Sequence, residues 1–139
     1  MARPGSWMAA LAGGVFAVWG TTGMTETLAG SEWVPLEIDG AAASERTRAF
    51  VRFGGDGRLS GNSGCNRFTG SYEIDGATLR IGPDVAMTRM ACPPEVMDEE
   101  ARLMRALEAV RGFSRDGIAL DLTAEDGMAV LRMRQTDWD

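Results

Sequence analysis

The chain has 139 residues, with 20 acidic and 14 basic side chains, a net charge of −6 and an apolar fraction of 45%. This length fits one globular domain plus a short extra segment, and the acidic balance is not that of a nucleic-acid-binding protein. All the basic residues are arginine and there is no histidine, which excludes a Schiff-base lysine and Ser-His or Cys-His catalysis.

Residues 1–23 have the pattern of a secretory signal peptide. Arg3 precedes the apolar run Trp7–Trp19, whose 13 residues are fewer than the roughly 20 that span a bilayer. Small residues offer cleavage points at about residues 20–23. No cysteine lies near this end, so no lipid anchor is expected, and the protein is predicted to be exported, either to the periplasm or out of the cell. The alternative is a helix buried in the fold.

Five Asp-Gly dipeptides, beginning at residues 39, 56, 75, 116 and 126, punctuate the rest of the chain. Both residues tolerate the positive φ of tight turns, so these dipeptides predict hairpins. The segments between them alternate apolar and polar side chains, as strands with one buried face do. Strands are expected at residues 33–38, 49–53, 67–74, 78–81, 118–123 and 128–134.

One segment, about residues 94–111, has helical periodicity instead. Pro94 suits the first turn of a helix and Gly112 suits its C-terminal stop. The charged side chains of this segment are interpreted as a solvated face. Its apolar side chains fall on one stripe: Val96, Leu103, Leu107 and Val110. The predicted fold class is therefore α+β, a small antiparallel β-sheet with this helix packed on it.

Cys65, within the stretch SGNSGCNRFTGSY, and Cys92 are the only cysteines. A nucleophilic Cys65 would need a base, a cation or a helix N-terminus beside it, and Arg67 is the nearest cation in sequence. Two cysteines without histidine do not supply the about four ligands of a zinc site. In an exported protein a Cys65–Cys92 disulfide is favoured, and closing its loop would contribute roughly 3–4 kcal/mol to stability.

Four methionines lie near or on the predicted helix: Met87, Met90, Met97 and Met104. Their thioethers are soft ligands suited to Cu(I), and methionine is also a target of oxidation. The favoured interpretation is that they fill irregular space in the core, because methionine is flexible and Met97 and Met104 lie on the apolar side of the helix.

Two short signatures together resemble a known family. They are GNSGCNRFTGSY at residues 61–72 and AMTRMACP at residues 86–93, and the helix that follows carries Met97 and Glu100. The combination resembles the META domain of bacterial HslJ-type proteins, over residues 28–138. The matching positions are Trp33, Gly64, Cys65, Asn66, Phe68, Gly70, Tyr72, Met87, Thr88, Met90, Cys92, Met97 and Glu100.

The resemblance implies a small α+β fold with a curved antiparallel sheet and a location in the cell envelope. It also implies an association with heat-shock or stress responses, including novobiocin tolerance in one bacterial lineage, and no enzymatic activity. Many relatives carry a lipidated cysteine at the signal cleavage site, which this sequence lacks. The matching cysteines, Cys65 and Cys92, are candidates for a bridge.

The predicted function is that of a non-enzymatic, exported binding or interaction module of the stress response, with no cofactor and no metal. The expected partner is an envelope protein that adds a strand to a sheet edge, or a small apolar ligand between sheet and helix. A monomer is expected, with no nucleic-acid partner and no stable membrane anchor. The alternatives are a thiol-dependent enzyme using Cys65 and a methionine-based Cu(I)-binding protein.

Overall fold

The computed structural model describes residues 28–136, so the predicted signal peptide at residues 1–23 lies outside the described residues. Ten strands and one helix follow one another in this part of the chain. They are β1 (Ser31–Ile38), β2 (Ala41–Ala42), β3 (Phe50–Phe53), β4 (Arg58–Asn62), β5 (Arg67–Asp75), β6 (Thr78–Ile81), β7 (Ala86–Met87), α1 (Pro94–Ala109), β8 (Gly112–Asp116), β9 (Ala119–Thr123) and β10 (Ala129–Gln135).

The strands close into a barrel, so the prediction of a small curved α+β sheet is wrong. Eight strands form the ring in the order β1, β3, β4, β5, β6, β8, β9, β10, and β10 pairs antiparallel with β1 to complete it. In this closing pair Trp33 lies opposite Gln135 and Ile38 lies opposite Leu131. The short strands β2 and β7 pair with β1 and β5, off the ring.

Two ring strands have too little apolar periodicity to be recognised in the sequence. Strand β4 (RLSGN) carries one large apolar residue, Leu59, and β8 (GFSRD) carries one, Phe113. Without β4 and β8 the remaining strands do not complete a ring, and the sequence then suggests an open sheet. A barrel also removes the unpaired edges that an open sheet leaves exposed.

The Asp-Gly dipeptides do mark strand connections, as predicted. Each of their glycines lies in the turn between two consecutive strands and has a positive φ, between 64° and 86°. Glycine has no Cβ and adopts this backbone conformation without the steric cost that other residues meet. The turn positions could therefore be located from sequence even though the closure of the sheet could not.

Side chains fill the interior of the barrel, as expected for a ring of about eight strands. Trp33 is fully buried, its indole N–H donates to the Ser31 hydroxyl at 2.7 Å, and the Arg115 guanidinium lies 4.9 Å from its ring centre. The other apolar side chains of the ring strands that are less than 2% exposed are Ile38, Val51, Phe53, Leu59, Phe68, Leu79, Leu120, Leu122, Leu131 and Met133. A ligand would therefore have to bind outside this core.

Tyr72 packs beside the β3–β4 turn. Its ring centre lies 5.1 Å from that of Phe53 in an edge-to-face arrangement, and its hydroxyl donates to the Gly54 carbonyl. Burial, and secondarily the charge of Asp56, raises the pKa of Tyr72 above 10.0. The phenol is therefore a neutral donor in the folded state. The protonated Tyr72 phenol stabilises the folded state fully below pH 10. This stabilisation is lost as the pH rises through the raised pKa of Tyr72 in the folded state.

Helix α1 covers the end of the barrel at which β1 ends and β3 begins. Arg102 donates to the Ile38 carbonyl at 3.2 Å, which ties the helix to the end of β1. The predicted apolar stripe is confirmed for Leu103, Leu107 and Val110, which are at most 1% exposed. The helix ends earlier than predicted, because Val110 is extended and Gly112 begins β8. Within residues 28–136 no helix is long and apolar enough to cross a bilayer.

We predict that Gly61→Ala destabilises the barrel by about 1–3 kcal/mol, the usual cost of overpacking a core. An added Cβ at Gly61 would overlap the Phe50 carbonyl oxygen and the ring of Phe68. Gly55→Ala is the matched control, since nothing lies within 4 Å of its added Cβ. Urea denaturation of both variants measures the difference, and equal unfolding midpoints would show that β4 does not pack closely on Phe68.

Candidate functional site

A disulfide joins the β4–β5 turn to the residue two positions before helix α1. Cys65 and Cys92 are bonded with a Cα–Cα distance of 6.1 Å, and they are 27 residues apart in the chain. The chain has two cysteines, so this bond uses both, and Cys65 is not a free thiol as a nucleophile would have to be. The bond is consistent with an exported protein.

The β4–β5 turn is shaped by its own polar side chains. Gly64 has φ +100° and its N–H donates to the Asn62 side chain at 2.6 Å. The Ser63 hydroxyl accepts the N–H groups of Cys65 at 3.2 Å and Asn66 at 2.9 Å. Short polar side chains that bond nearby backbone groups stabilise such turns. The turn thereby holds Cys65 and Asn66 against the helix.

The Asn66 carboxamide joins three segments of the chain and is only 2% exposed. Its oxygen accepts the Thr88 hydroxyl at 2.8 Å and the Met90 N–H at 2.6 Å. Its nitrogen donates to Glu100 Oε2 at 2.8 Å and to the Met90 carbonyl at 3.3 Å. We refer to Ser63, Asn66, Thr88 and Glu100 as the polar hub. It links the turn, the segment after β7 and helix α1.

Two acidic residues of the helix are buried, so the prediction of a solvated charged face is wrong for them. Glu100 is 5% exposed, and its Oε2 accepts both the Ser63 hydroxyl at 2.6 Å and Asn66. Glu99 is 7% exposed and accepts the Ser44 N–H at 3.1 and 3.2 Å. Both precede Leu103 by about one helical turn and so lie on the same side of the helix as the apolar stripe. This position was the sequence signal that could have indicated their burial.

Two adjoining surface grooves lie between helix α1 and the chain from β6 to β7. The first, the apolar groove, has a volume of about 270 Å³, and its lining includes Ile81, Val85, Met87, Met104 and Leu107. The second, the methionine groove, has a volume of about 620 Å³, and its lining includes Asn66, Met87, Met90, Met97 and Glu100. Val85 and Met87 belong to both grooves, so the two form one continuous concave surface.

Three of the four methionines are at the surface, so the interpretation that they fill the core is wrong for those three. Met87 is 37% exposed, Met90 is 58% exposed and Met97 is 36% exposed. Met104 is partly buried and packs against the core. Flexible thioether side chains therefore line both grooves: Met87 and Met104 in the apolar groove, and Met87, Met90 and Met97 in the methionine groove.

The sequence model of the META domain family matches residues 26–137. The chain belongs to the META domain family. The match confirms the resemblance found in the two sequence signatures. No curated protein matches this META domain chain.

Solved structures resemble the META domain chain in fold. An NMR structure of a protein from Burkholderia xenovorans is 21% identical with a TM-score of 0.64, and covers 98% of this chain and 100% of its own. A second NMR structure is 22% identical and has a TM-score of 0.61. Its alignment covers 77% of this chain and 90% of the other. A crystal structure of a DUF4847 family protein from Bacteroides vulgatus is 14% identical and has a TM-score of 0.58. Its alignment covers 84% of this chain and 99% of the other. These likenesses show the fold alone.

The structure divides the META signature positions between the barrel core and the grooves. Trp33, Phe68 and Tyr72 are buried in the barrel. Gly70 lets the chain pack on β5, since an added Cβ would lie 3.0 Å from the Val85 side chain. The remaining positions lie in or beside the polar hub and the methionine groove: Gly64, Cys65, Asn66, Met87, Thr88, Met90, Cys92, Met97 and Glu100.

Sequence reasoning missed three residues of this META domain site. Ser63 hydrogen-bonds within the β4–β5 turn and donates to Glu100 in the polar hub. Val85 lines both grooves, and Glu99 accepts a hydrogen bond from the β2–β3 loop. Serine and valine are common surface and strand residues, and no sequence pattern distinguished these two. Their roles depend on contacts between segments that are far apart in the chain.

We predict that Asn66→Ala lowers the free energy of unfolding by about 3 kcal/mol, because it leaves buried polar partners of Asn66 unpaired. Asn62→Ala in the same turn is the control and should cost about 1 kcal/mol, since it removes the one hydrogen bond that the Asn62 side chain accepts from the Gly64 N–H. Urea denaturation under oxidising conditions measures both. Equal losses for the two variants would contradict the central role of Asn66.

Proposed function

We propose that the protein is a non-enzymatic, exported binding module whose apolar groove holds a single hydrocarbon chain, such as that of a fatty acid. The observation that carries this proposal is the groove itself, of about 270 Å³, whose lining is mainly the apolar side chains Ile81, Val85, Met87, Met104 and Leu107, with the charged side chains Arg105 and Glu108 beside them. This volume is close to the lower end of the roughly 300–1,000 Å³ typical of small-molecule pockets.

The closed barrel supports a ligand groove over the addition of a partner strand. Strand addition needs an exposed sheet edge with unpaired backbone groups. Among residues 28–136 each ring strand has a neighbour on both sides, although β6 and β8 are paired only at Thr78 and Gly112, and the two-residue strands β2 and β7 lie off the ring. A strand of two residues offers few backbone groups for a partner strand to pair with. The barrel core is filled, so a ligand has to bind on the surface, and the apolar groove beside α1 offers an apolar lining for it.

The proposed location is the periplasm or the exterior, and the proposed context is the envelope stress response. The disulfide supports export, since such bonds persist in oxidising compartments. The META domain family is not known as enzymatic, and the absence of histidine supports a binding role. The thiol-dependent enzyme loses support, because both cysteines are bonded to each other. A monomer remains the expected state.

We predict that the protein binds dodecanoate and that Met87→Gln weakens binding by about tenfold. The carboxamide places a polar group in an apolar lining at a cost of roughly 1–3 kcal/mol. Met128→Gln is the control, because Met128 is 66% exposed in the β9–β10 turn and lines neither groove. Native mass spectrometry and calorimetric titration measure the affinity. No binding to the unmodified chain, or equal weakening by both variants, would overturn the proposal.

A further inference from the structure

We propose that the methionine groove is a binding site for a soft monovalent metal ion, Cu(I), held by the thioethers of Met87, Met90 and Met97. Four methionines of the described residues are substantially exposed, and three of them line this one groove. Their exposed fractions, 36% to 58%, mean that core packing does not account for their positions. The two sites share Met87, which lines both grooves, whereas Met90 and Met97 line the methionine groove and not the apolar groove.

The backbone at each of the three methionines is fixed by a separate contact. Met87 lies in β7 and pairs with Phe68 of β5. Both backbone groups of Met90 are bonded to the Asn66 carboxamide, at 2.6 and 3.3 Å. Met97 lies in the first turn of α1, and its N–H donates to the Pro93 carbonyl at 3.0 Å. The groove thus has a rigid frame from which flexible thioether side chains can converge on an ion.

The chemistry of the donors favours a soft ion over a hard one. Thioether sulfur prefers Cu(I), whereas Mg²⁺ and Ca²⁺ prefer oxygen and zinc prefers histidine and thiolate. Within residues 28–136 no group of three or more His, Cys, Asp or Glu side chains could hold a metal ion. The thioethers are therefore the ligand set that this part of the chain offers. They are neutral, so a compensating negative charge has to come from elsewhere.

Glu100 supplies that charge. Glu100 is buried, with 5% of its surface exposed, and it lines the methionine groove. The Oε2 atom accepts Ser63 and Asn66, whereas Oε1 accepts no hydrogen bond from any described residue. A buried carboxylate oxygen without a partner is stabilised by a nearby cation. Arg89 also lines the groove, but it is exposed, where water and salt screen its repulsion.

An anaerobic titration tests this site. The full chain competes for Cu(I) with bicinchoninate, whose copper complex absorbs visible light, so the loss of absorbance reports Cu(I) bound by the protein. The expected result is one ion per chain, with Met90→Leu and Met97→Leu each weakening the affinity about tenfold or more. Leucine conserves side-chain volume, so these substitutions remove the sulfur while leaving the packing in place.

Met128→Leu is the matched control and should leave the Cu(I) affinity unchanged, since it removes an exposed thioether outside the groove. The proposal is overturned if the unmodified chain takes no Cu(I) from bicinchoninate. It is equally overturned if Met90→Leu and Met97→Leu bind as the unmodified chain does, or if Met128→Leu loses as much affinity as they do. Dodecanoate binding by Met90→Leu should be unchanged, so failure of one site is distinguishable from failure of the other.

Discussion

The side-chain carboxamide of Asn66 is the interaction on which the site depends. It is buried, and both of its ends are hydrogen-bonded: the oxygen to Thr88 and Met90, the nitrogen to Glu100 and Met90. A buried polar group without partners costs more free energy than an ordinary hydrogen bond contributes. Moving any one of the three segments that meet at Asn66 would leave buried polar groups of the other two without partners, so each segment holds the others in place.

This arrangement also determines where helix α1 lies. Glu100 can be buried in the first half of the helix because Ser63 and Asn66 donate to it from the β4–β5 turn. The neighbouring Glu99 binds the Ser44 N–H of the β2–β3 loop, and Arg102 binds the end of β1. Three successive contacts thus attach the helix over one end of the barrel. Its apolar side chains then complete the core beneath it.

The grooves follow from the same contacts. The chain between β6 and α1 runs across β5, close enough that Gly70 is needed beneath Val85, and the disulfide holds its far end at Cys92. A cross-link that closes a loop of this length restricts the unfolded chain and contributes roughly 3–4 kcal/mol in the entropic model. The hub and the disulfide therefore act together on one wall of the groove, and they leave its methionine side chains exposed to ligands.

Local features of the fold could be predicted from sequence, and features that join distant segments could not. The Asp-Gly turns and the stripe of Leu103, Leu107 and Val110 depend on neighbouring residues, and both were found. The closure of β10 on β1 brings together residues such as Trp33 and Gln135, which no local pattern connects. The burial of Glu100 depends on partners 34 and 37 residues away, so its charge suggested a solvated position.

The same distinction applies to the candidate site. The two META signatures contain Cys65, Asn66, Met90 and Cys92, and the structure brings these residues together through the disulfide and the Asn66 hydrogen bonds. The exposure of Met90 and Met97 was not predicted, since methionine is usually a core residue and its pattern on a helix does not distinguish a core from a groove. The paired grooves emerge only when β5, β7 and α1 are assembled.

A double-mutant cycle between Asn66 and Glu100 tests the central claim most directly. The free energies of unfolding of Asn66→Ala, Glu100→Ala and the double variant are measured in urea with the disulfide intact. If the two side chains stabilise the fold through each other, the double variant is less destabilised than the sum of the single variants by about 1 kcal/mol or more. Losses that add to within about 0.5 kcal/mol would show that the two residues act independently and would contradict the account.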